Sequence, residues 1–326
     1  MSHSFRTEIN CPPTKPLDLH HKVATLGSCF SDQFGHWMKT NKFEVLVNPF
    51  GTTYNPVSIH QLLLSSLENK LDESLFVERD GSWYHHHYHS AWTASTRAQL
   101  DQAIRKQQQL VKEFIQHTNI LILTYGTAWV YRIQKTNSLV ANCHKVPANA
   151  FTKKLLDENE ILTSFDELYK KLKAINPEVR IIVTVSPVRH LKDTLEFNSV
   201  SKGVLRLLCH TLTQRYDSVE YFPAYEIMMD DLRDYRFYER DMIHPSAEAR
   251  DYINQKFGER YFTPATKQLI KSLNEIQKAL AHRPFQIAAP AHQKFLKETL
   301  HKLESMKSIV SVEEEIKLVQ SHLSHA

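Results

Sequence analysis

An uninterrupted apolar run, Asn119-Ile120-Leu121-Ile122-Leu123-Thr124-Tyr125, narrows the folds open to this chain more than any other stretch. It is too short for an ordinary helix and lacks an alternating polar face, so it reads as a strand buried on both sides. Val23-Ala24-Thr25-Leu26 and Val179-Arg180-Ile181-Ile182-Val183-Thr184-Val185 repeat the pattern, and runs at Phe43–Val47 and Val219–Phe222 bring the strands to five. Helical patterns lie between most of them, at about Val57–Leu67, Ser95–Gln116, Phe165–Ile175 and Ser199–Tyr216. Strands separated by helices describe an α/β protein with a mostly parallel sheet. Two hairpins read as insertions: Ser74–Tyr84, turning at Asp80-Gly81, and Trp129–Lys145, turning through Thr136-Asn137-Ser138. In such a sheet ligands gather outside the carboxyl ends of the strands, near the point where strand order reverses.

At 326 residues, 42% hydrophobic and 23% charged, the chain can bury a substantial core. Its formal charge of +4 is spread through interleaved acids and bases, so no basic stripe for nucleic acid is present. The N-terminal stretch Met1–Glu8 lacks the apolar core of a signal peptide, and no later run is long and apolar enough for a bilayer. The expectation is a cytoplasmic protein with neither nucleic acid nor membrane as partner. Cys11, Cys29, Cys143 and Cys209 show no paired spacing, which suits reduced thiols and argues against a disulfide framework or a zinc finger. His85-His86-His87-Tyr88-His89 invites a metal reading, because on a strand His85, His87 and His89 would share a face. No Cys or carboxylate pattern completes a ligand set, so a partly packed strand with Trp83 and Tyr88 is preferred and no metal or cofactor is expected.

The strand-end segments carry the chemistry. Gly27 lets the chain turn sharply into a helix marked by Phe30, Phe34, Trp37 and Met38, and Ser28 on that turn would meet the helix's open amides. Serine is also a common helix N-cap. As a nucleophile Ser28 needs a base, and His244 with Asp241 three residues earlier could supply base and orienter, though this pair could equally cap a helix beginning at Pro245. The Ser28 amide and Gly51 are candidate oxyanion donors. Cys29, next to Ser28 at the helix start, is a second candidate nucleophile, but adjacent residues on such a turn point different ways and it reads as a small residue packed inward. Gly126, Thr127, Arg189 and His190 fall at the same sheet edge, Arg189 either binding a substrate carboxylate or phosphate or pairing with Asp193 or Glu196.

Taken together, Gly27-Ser28-Cys29-Phe30, Asn48-Pro49-Phe50-Gly51-Thr52, Gly126-Thr127-Ala128-Trp129-Val130-Tyr131, Asn142-Cys143-His144-Lys145, Ser186-Pro187-Val188-Arg189-His190 and Asp241-Met242-Ile243-His244-Pro245-Ser246 resemble the GSCFA-domain family, related to the SGNH or GDSL-like hydrolases. The match runs from about Val23 to Ile253. The resemblance implies a three-layer flavodoxin-like fold and ester or acyl hydrolysis, with Ser28 in the nucleophile block, Gly51 as the oxyanion glycine, and Asp241 and His244 in the D-x-x-H block. Where SGNH enzymes have Gly-x-Asn, this chain has Gly126-Thr127-Ala128; Asn142, Asn55, Thr127 and His190 are the candidate substitutes. The expected activity is that of a serine esterase or acyl hydrolase, such as a deacetylase, acting on a small acyl ester of a polar or glycan-like substrate. The alternatives are a non-catalytic ligand-binding protein on the same fold and an acyltransferase using the same serine.

Residues 1–265 are expected to form the α/β domain and residues 266–326 a helical extension. Leu269, Leu273, Ile276 and Leu280 make one apolar stripe, and Leu296, Leu300, Leu303, Met306 and Val310 another, with Pro284 and Pro290 between them. Packing back on the domain is the simpler use of these stripes, a homodimer through them the alternative.

Overall fold

The computed structural model describes residues 7–281 and 290–324, so Pro284 and most of the Met1–Glu8 stretch lie outside the described residues. Strand β1 (Val23–Gly27) leads into helix α1 (Cys29–Thr40) and strand β2 (Val45–Val47). Helix α2 (Pro56–Glu68), the hairpin β3 (Phe76–Arg79) and β4 (Ser82–His85), helix α3 (Arg97–Gln116) and strand β5 (Ile120–Tyr125) follow. An insertion of β6 (Trp129–Ile133), β7 (Leu139–Val140) and β8 (Phe151–Leu155) precedes α4 (Glu158–Ile175), β9 (Arg180–Val185), α5 (Thr194–Arg215) and β10 (Val219–Tyr221). After them come the one-turn α6 (Ala224–Glu226), then α7 (Ala247–Tyr261), α8 (Pro264–Ala281), α9 (Pro290–Met306) and α10 (Glu313–Ser324).

The five apolar strands form one parallel sheet in the order β2-β1-β5-β9-β10. This is the flavodoxin-like order, with its switch point between β1 and β5. Alternation along the strands divides the core. Ala24, Leu26, Leu121, Leu123, Ile181 and Val183 pack with residues of α2, α3, α4 and α5, whereas Val23, Ile120, Ile122 and Ile182 pack with α1 and α7. Three layers result. At the end of β1, Gly27 adopts φ +148°, and a Cβ there would lie 2.2 Å from the Thr124 carbonyl oxygen of neighbouring β5. Only glycine lets the turn into α1 sit this close to β5.

Several local expectations shift. The first hairpin turns at Asp80-Gly81 as expected, but its second strand stops at His85, so His85, His87 and His89 do not share a strand face. The second insertion gains a third strand, β8, antiparallel to β6. Helix α7 begins at Ala247, not Pro245, because the Ser246 hydroxyl accepts the Ala249 N–H as its cap. Both C-terminal stripes pack against each other and against Ile316 and Val319 of α10, a helix the stripes alone did not reveal. A Lys42–Glu315 ion pair of 2.5 Å joins this cluster to the turn after α1. Among the described residues no helix is long and apolar enough to cross a membrane.

Candidate active site

Ser28 occupies the N-cap position of α1, with φ −68° and ψ 177°, yet its hydroxyl does not cap the helix. It is fully buried and donates to Ser186 Oγ at 3.0 Å, tying the end of β1 to the end of β9. The structure therefore does not bring Ser28 to His244. Adjacent residues on so sharp a turn point in different directions, and the one facing His244 is Cys29, whose Sγ lies 3.5 Å from His244 Nε2. Cys29 is partly exposed at the first position of α1, contrary to the expectation that it packs inward.

The rest of the dyad is built as its spacing implied. Met242 takes the left-handed conformation, φ 57°, and turns the chain tightly enough for Asp241 Oδ2 to meet His244 Nδ1 at 2.7 Å. Asp241 Oδ1 accepts the amides of Ile243 and His244 at 2.9 and 3.0 Å. The His244 ring, followed by these two amides, holds the Asp241 carboxyl down at about 2. An ionised carboxylate on Nδ1 makes that nitrogen the N–H donor and leaves Nε2 as an acceptor toward Cys29.

Burial pushes the Cys29 thiol up, and three donors oppose it: its own amide, the Tyr54 hydroxyl and the Phe30 amide. These amides belong to the first turn of α1, which the Ser28 side chain does not cap. Burial and the facing sulfur also raise the Tyr54 phenol, so it keeps its proton and remains a donor.

Several residues expected to serve the oxyanion hold the scaffold. The Gly51 N–H donates to the Asn48 carbonyl at 2.8 Å, and a Cβ on Gly51 would lie 2.5 Å from His89 Cβ, so packing accounts for the glycine. The Gly126 and Thr127 amides both donate to the Tyr54 carbonyl, at 2.7 and 3.1 Å, fixing the loop that carries the Tyr54 ring. Thr127 Oγ1 pairs with Ser201 Oγ at 3.0 Å. Asn55 caps α2 through Ser58, and Asn142 binds the His144 amide through Oδ1 and the His86 ring through its carbonyl. The histidine run is likewise engaged, with His85 Nε2 on the Asp72 carbonyl and His87 Nε2 on that of Leu139. Among the described residues no group of three or more His, Cys, Asp or Glu is disposed to hold a metal ion.

Arg189 and His190 flank the site. The Arg189 guanidinium lies 3.8 Å from the Tyr238 ring centroid, and its amide donates to the Ile243 carbonyl at 3.1 Å, bracing the Asp241–His244 turn from outside. It also lines a cleft of about 300 Å³ with Asp230, Arg233 and Tyr235. His190 packs edge-on against Tyr54, and its Nε2 has no hydrogen-bond partner among the described residues. Burial, with the Lys202 and His244 charges, lowers it to about 3, so its ring is neutral near physiological pH.

Lys202 is a site residue the sequence reading passed over. It is 1% exposed, and its Nζ donates to the Gly126 and Ser186 carbonyls at 2.8 and 2.7 Å. Its spacing with Asn198, Ser201 and Leu205 on the buried face of α5 was the available signal.

The family model described as GSCFA family matches residues 22–257. The chain belongs to the GSCFA family. A second model, GSCFA domain protein, C-terminal domain, matches residues 273–325. Among solved structures, the chain is similar to a carbohydrate esterase family 3 protein from Talaromyces cellulolyticus, at 11% identity and TM-score 0.34, covering 77% of this chain and 98% of that one. It is also similar to a candidate platelet activating factor from Streptococcus pneumonia, at 11% identity and TM-score 0.38, covering 76% and 84%. No curated protein matches the chain.

Proposed function

We propose that this GSCFA-family protein is a thiol-dependent acyl hydrolase. Cys29 is the nucleophile, His244 the general base and acid, and Asp241 the group that orients the imidazole. One observation carries the reading: Cys29 Sγ faces the Nε2 of a histidine whose Nδ1 is held by a carboxylate. Because burial keeps the thiol protonated at rest, His244 takes its proton as sulfur bonds to the acyl carbon. The C=O electrons move onto oxygen, opposite the α1 amides and the Tyr54 hydroxyl. Collapse of this adduct breaks the ester C–O bond, and the leaving alkoxide receives the proton from His244. Water, deprotonated by the same histidine, then hydrolyses the thioester and restores the thiol. Delivery to an acceptor alcohol at this last step would make the same site a transferase.

The test is turnover of para-nitrophenyl acetate with mass mapping of the acylated residue. Cys29→Ala and His244→Ala are expected to lower kcat by about 10³-fold or more with cooperative unfolding retained, while Ser28→Ala still acylates Cys29. Turnover that survives in Cys29→Ala and disappears in Ser28→Ala would return the nucleophile to the serine.

A further inference from the structure

The backbone of Arg189 braces the Asp241–His244 turn, but its side chain has no task in the acyl-transfer scheme. The guanidinium is partly exposed and lies 3.8 Å from the Tyr238 ring centroid and 5.5 Å from that of Tyr235, with one N–H directed at the Met242 carbonyl at 3.5 Å. A planar cation laid against a ring in this way keeps N–H groups along its edge for a carboxylate or phosphate. No carboxylate lies within ion-pairing distance of it among the described residues. Two carboxylates line the same cleft of about 300 Å³, and each has another arginine: Asp230 meets Arg233 at 3.4 Å and Asp234 meets Arg236 at 3.9 Å. Glu196, one of the partners expected from the sequence, accepts the Thr194 hydroxyl at 2.9 Å instead. The charge of Arg189 therefore stands uncompensated in the cleft wall. That wall adjoins His244 on both sides of its turn. The Arg189 amide is bonded to the Ile243 carbonyl just before the histidine, while Tyr238 bridges to Pro245 just after it and the Glu239 amide donates to the His244 carbonyl at 2.8 Å. An ester held for attack by Cys29 turns its carbonyl oxygen to the first turn of α1 and Tyr54, and its alkoxide to the imidazole that returns the proton. The alcohol part of the ester is thus the part that extends toward Arg189.

We infer that Arg189 is a specificity-determining residue, and that the cleft beside it takes the alcohol part of an ester that carries a carboxylate or phosphate group. The inference rests on the acyl-transfer reading, and the experiment separates the two. Binding of 4-hydroxybenzoate, 4-hydroxyphenyl phosphate and the neutral 4-hydroxybenzamide is measured by titration calorimetry at low ionic strength for the natural protein, Arg189→Gln and Arg189→Lys. Both variants keep the backbone amide that braces the turn. At least one of the two anions is expected to bind the natural protein about tenfold or more tighter than the amide, and the tighter anion identifies the group the cleft takes. The preference is expected to fall below about twofold in Arg189→Gln and to survive in part in Arg189→Lys, which keeps the charge without the planar fork. Equal binding of all three compounds, or an anion preference that Arg189→Gln retains, would overturn the assignment. Turnover of 4-acetoxybenzoate and 4-acetoxybenzamide judges the hydrolase reading separately, with kcat/KM expected to favour the anion about tenfold, through KM. An anion preference in binding with turnover of neither ester would overturn the hydrolase reading and leave the anion site standing. Turnover of both esters with no anion preference in binding or in kcat/KM would overturn the role of Arg189 alone.

Discussion

Acidification from about pH 7.5 to 5.5 is expected to remove about 7 kcal/mol of folding stability through five histidines that burial holds neutral. His60 is fully buried between Tyr125 and Ser164, at 2.9 and 3.1 Å, and burial lowers it to about 3. His85 is lowered to about 3 and His144 to about 4, also chiefly by burial. In the unfolded chain each titrates near 6.5. The stability tied to their neutral form is thus complete above that value, falls as the unfolded state takes up protons, and stops falling near 3 to 4. Each of these contributes about 1.4 kcal/mol over this interval, and His87 and His190, lowered to about 4 and about 3, contribute as much each. Carboxylates held low, such as Asp72 and Asp241, act only below about pH 4 and leave the window clear. Urea unfolding followed by tryptophan emission at both pH values gives the difference directly. His60→Gln is expected to shrink it by about a fifth, whatever its own effect at the higher pH. A difference under about 1 kcal/mol, or one that His60→Gln leaves unchanged, would refute the reasoning.

Asp241→Asn is expected to lower para-nitrophenyl acetate kcat by about 10²-fold, since the amide no longer secures the tautomer with Nε2 free; a change under about threefold would deny Asp241 its orienting role. Gly27→Ala is expected to cost more than about 3 kcal/mol in urea unfolding, because its Cβ would collide with backbone of β5, and near-natural stability would show that the turn can relax. Leu303, fully buried among the C-terminal helices, is expected to lose about 3 kcal/mol on replacement by alanine, seen as faster hydrogen exchange in α9 and α10 with Cys29 alkylation unchanged.

The sheet was legible because β1, β5 and β9 are buried on both faces and therefore carry continuous apolar runs. Strand β8 was not, since Phe151-Thr152-Lys153-Lys154-Leu155 buries little beyond its ends and its middle looks like loop. Helix α10 opens on Glu313-Glu314-Glu315, whose charge hid the apolar positions Ile316 and Val319. The D-x-x-H turn could be read outright, because a three-residue separation lets carboxylate and imidazole meet without long-range information. Which of two neighbouring residues faces that imidazole could not. The choice between Ser28 and Cys29 depends on Ser186, 158 positions from Ser28, which takes up the serine hydroxyl. Tyr54 and Lys202 were hidden for the same reason, their contacts with Cys29 and with the Gly126 and Ser186 carbonyls being made only when separate strand ends converge.

The serine's engagement with Ser186 leaves α1 without a side-chain cap, a contact ordinarily worth about 1 kcal/mol. The helix start is consequently less stable empty than occupied, since any anion lodged over Cys29 would serve as the absent cap. Melting temperature then becomes a way to find what the pocket accepts, without turnover or a labelled substrate. Small carboxylates, oxyanions and acyl-group analogues can be ranked by how far each raises the unfolding midpoint, with Cys29→Ala as the background in which the helix start stays open and the nucleophile is gone.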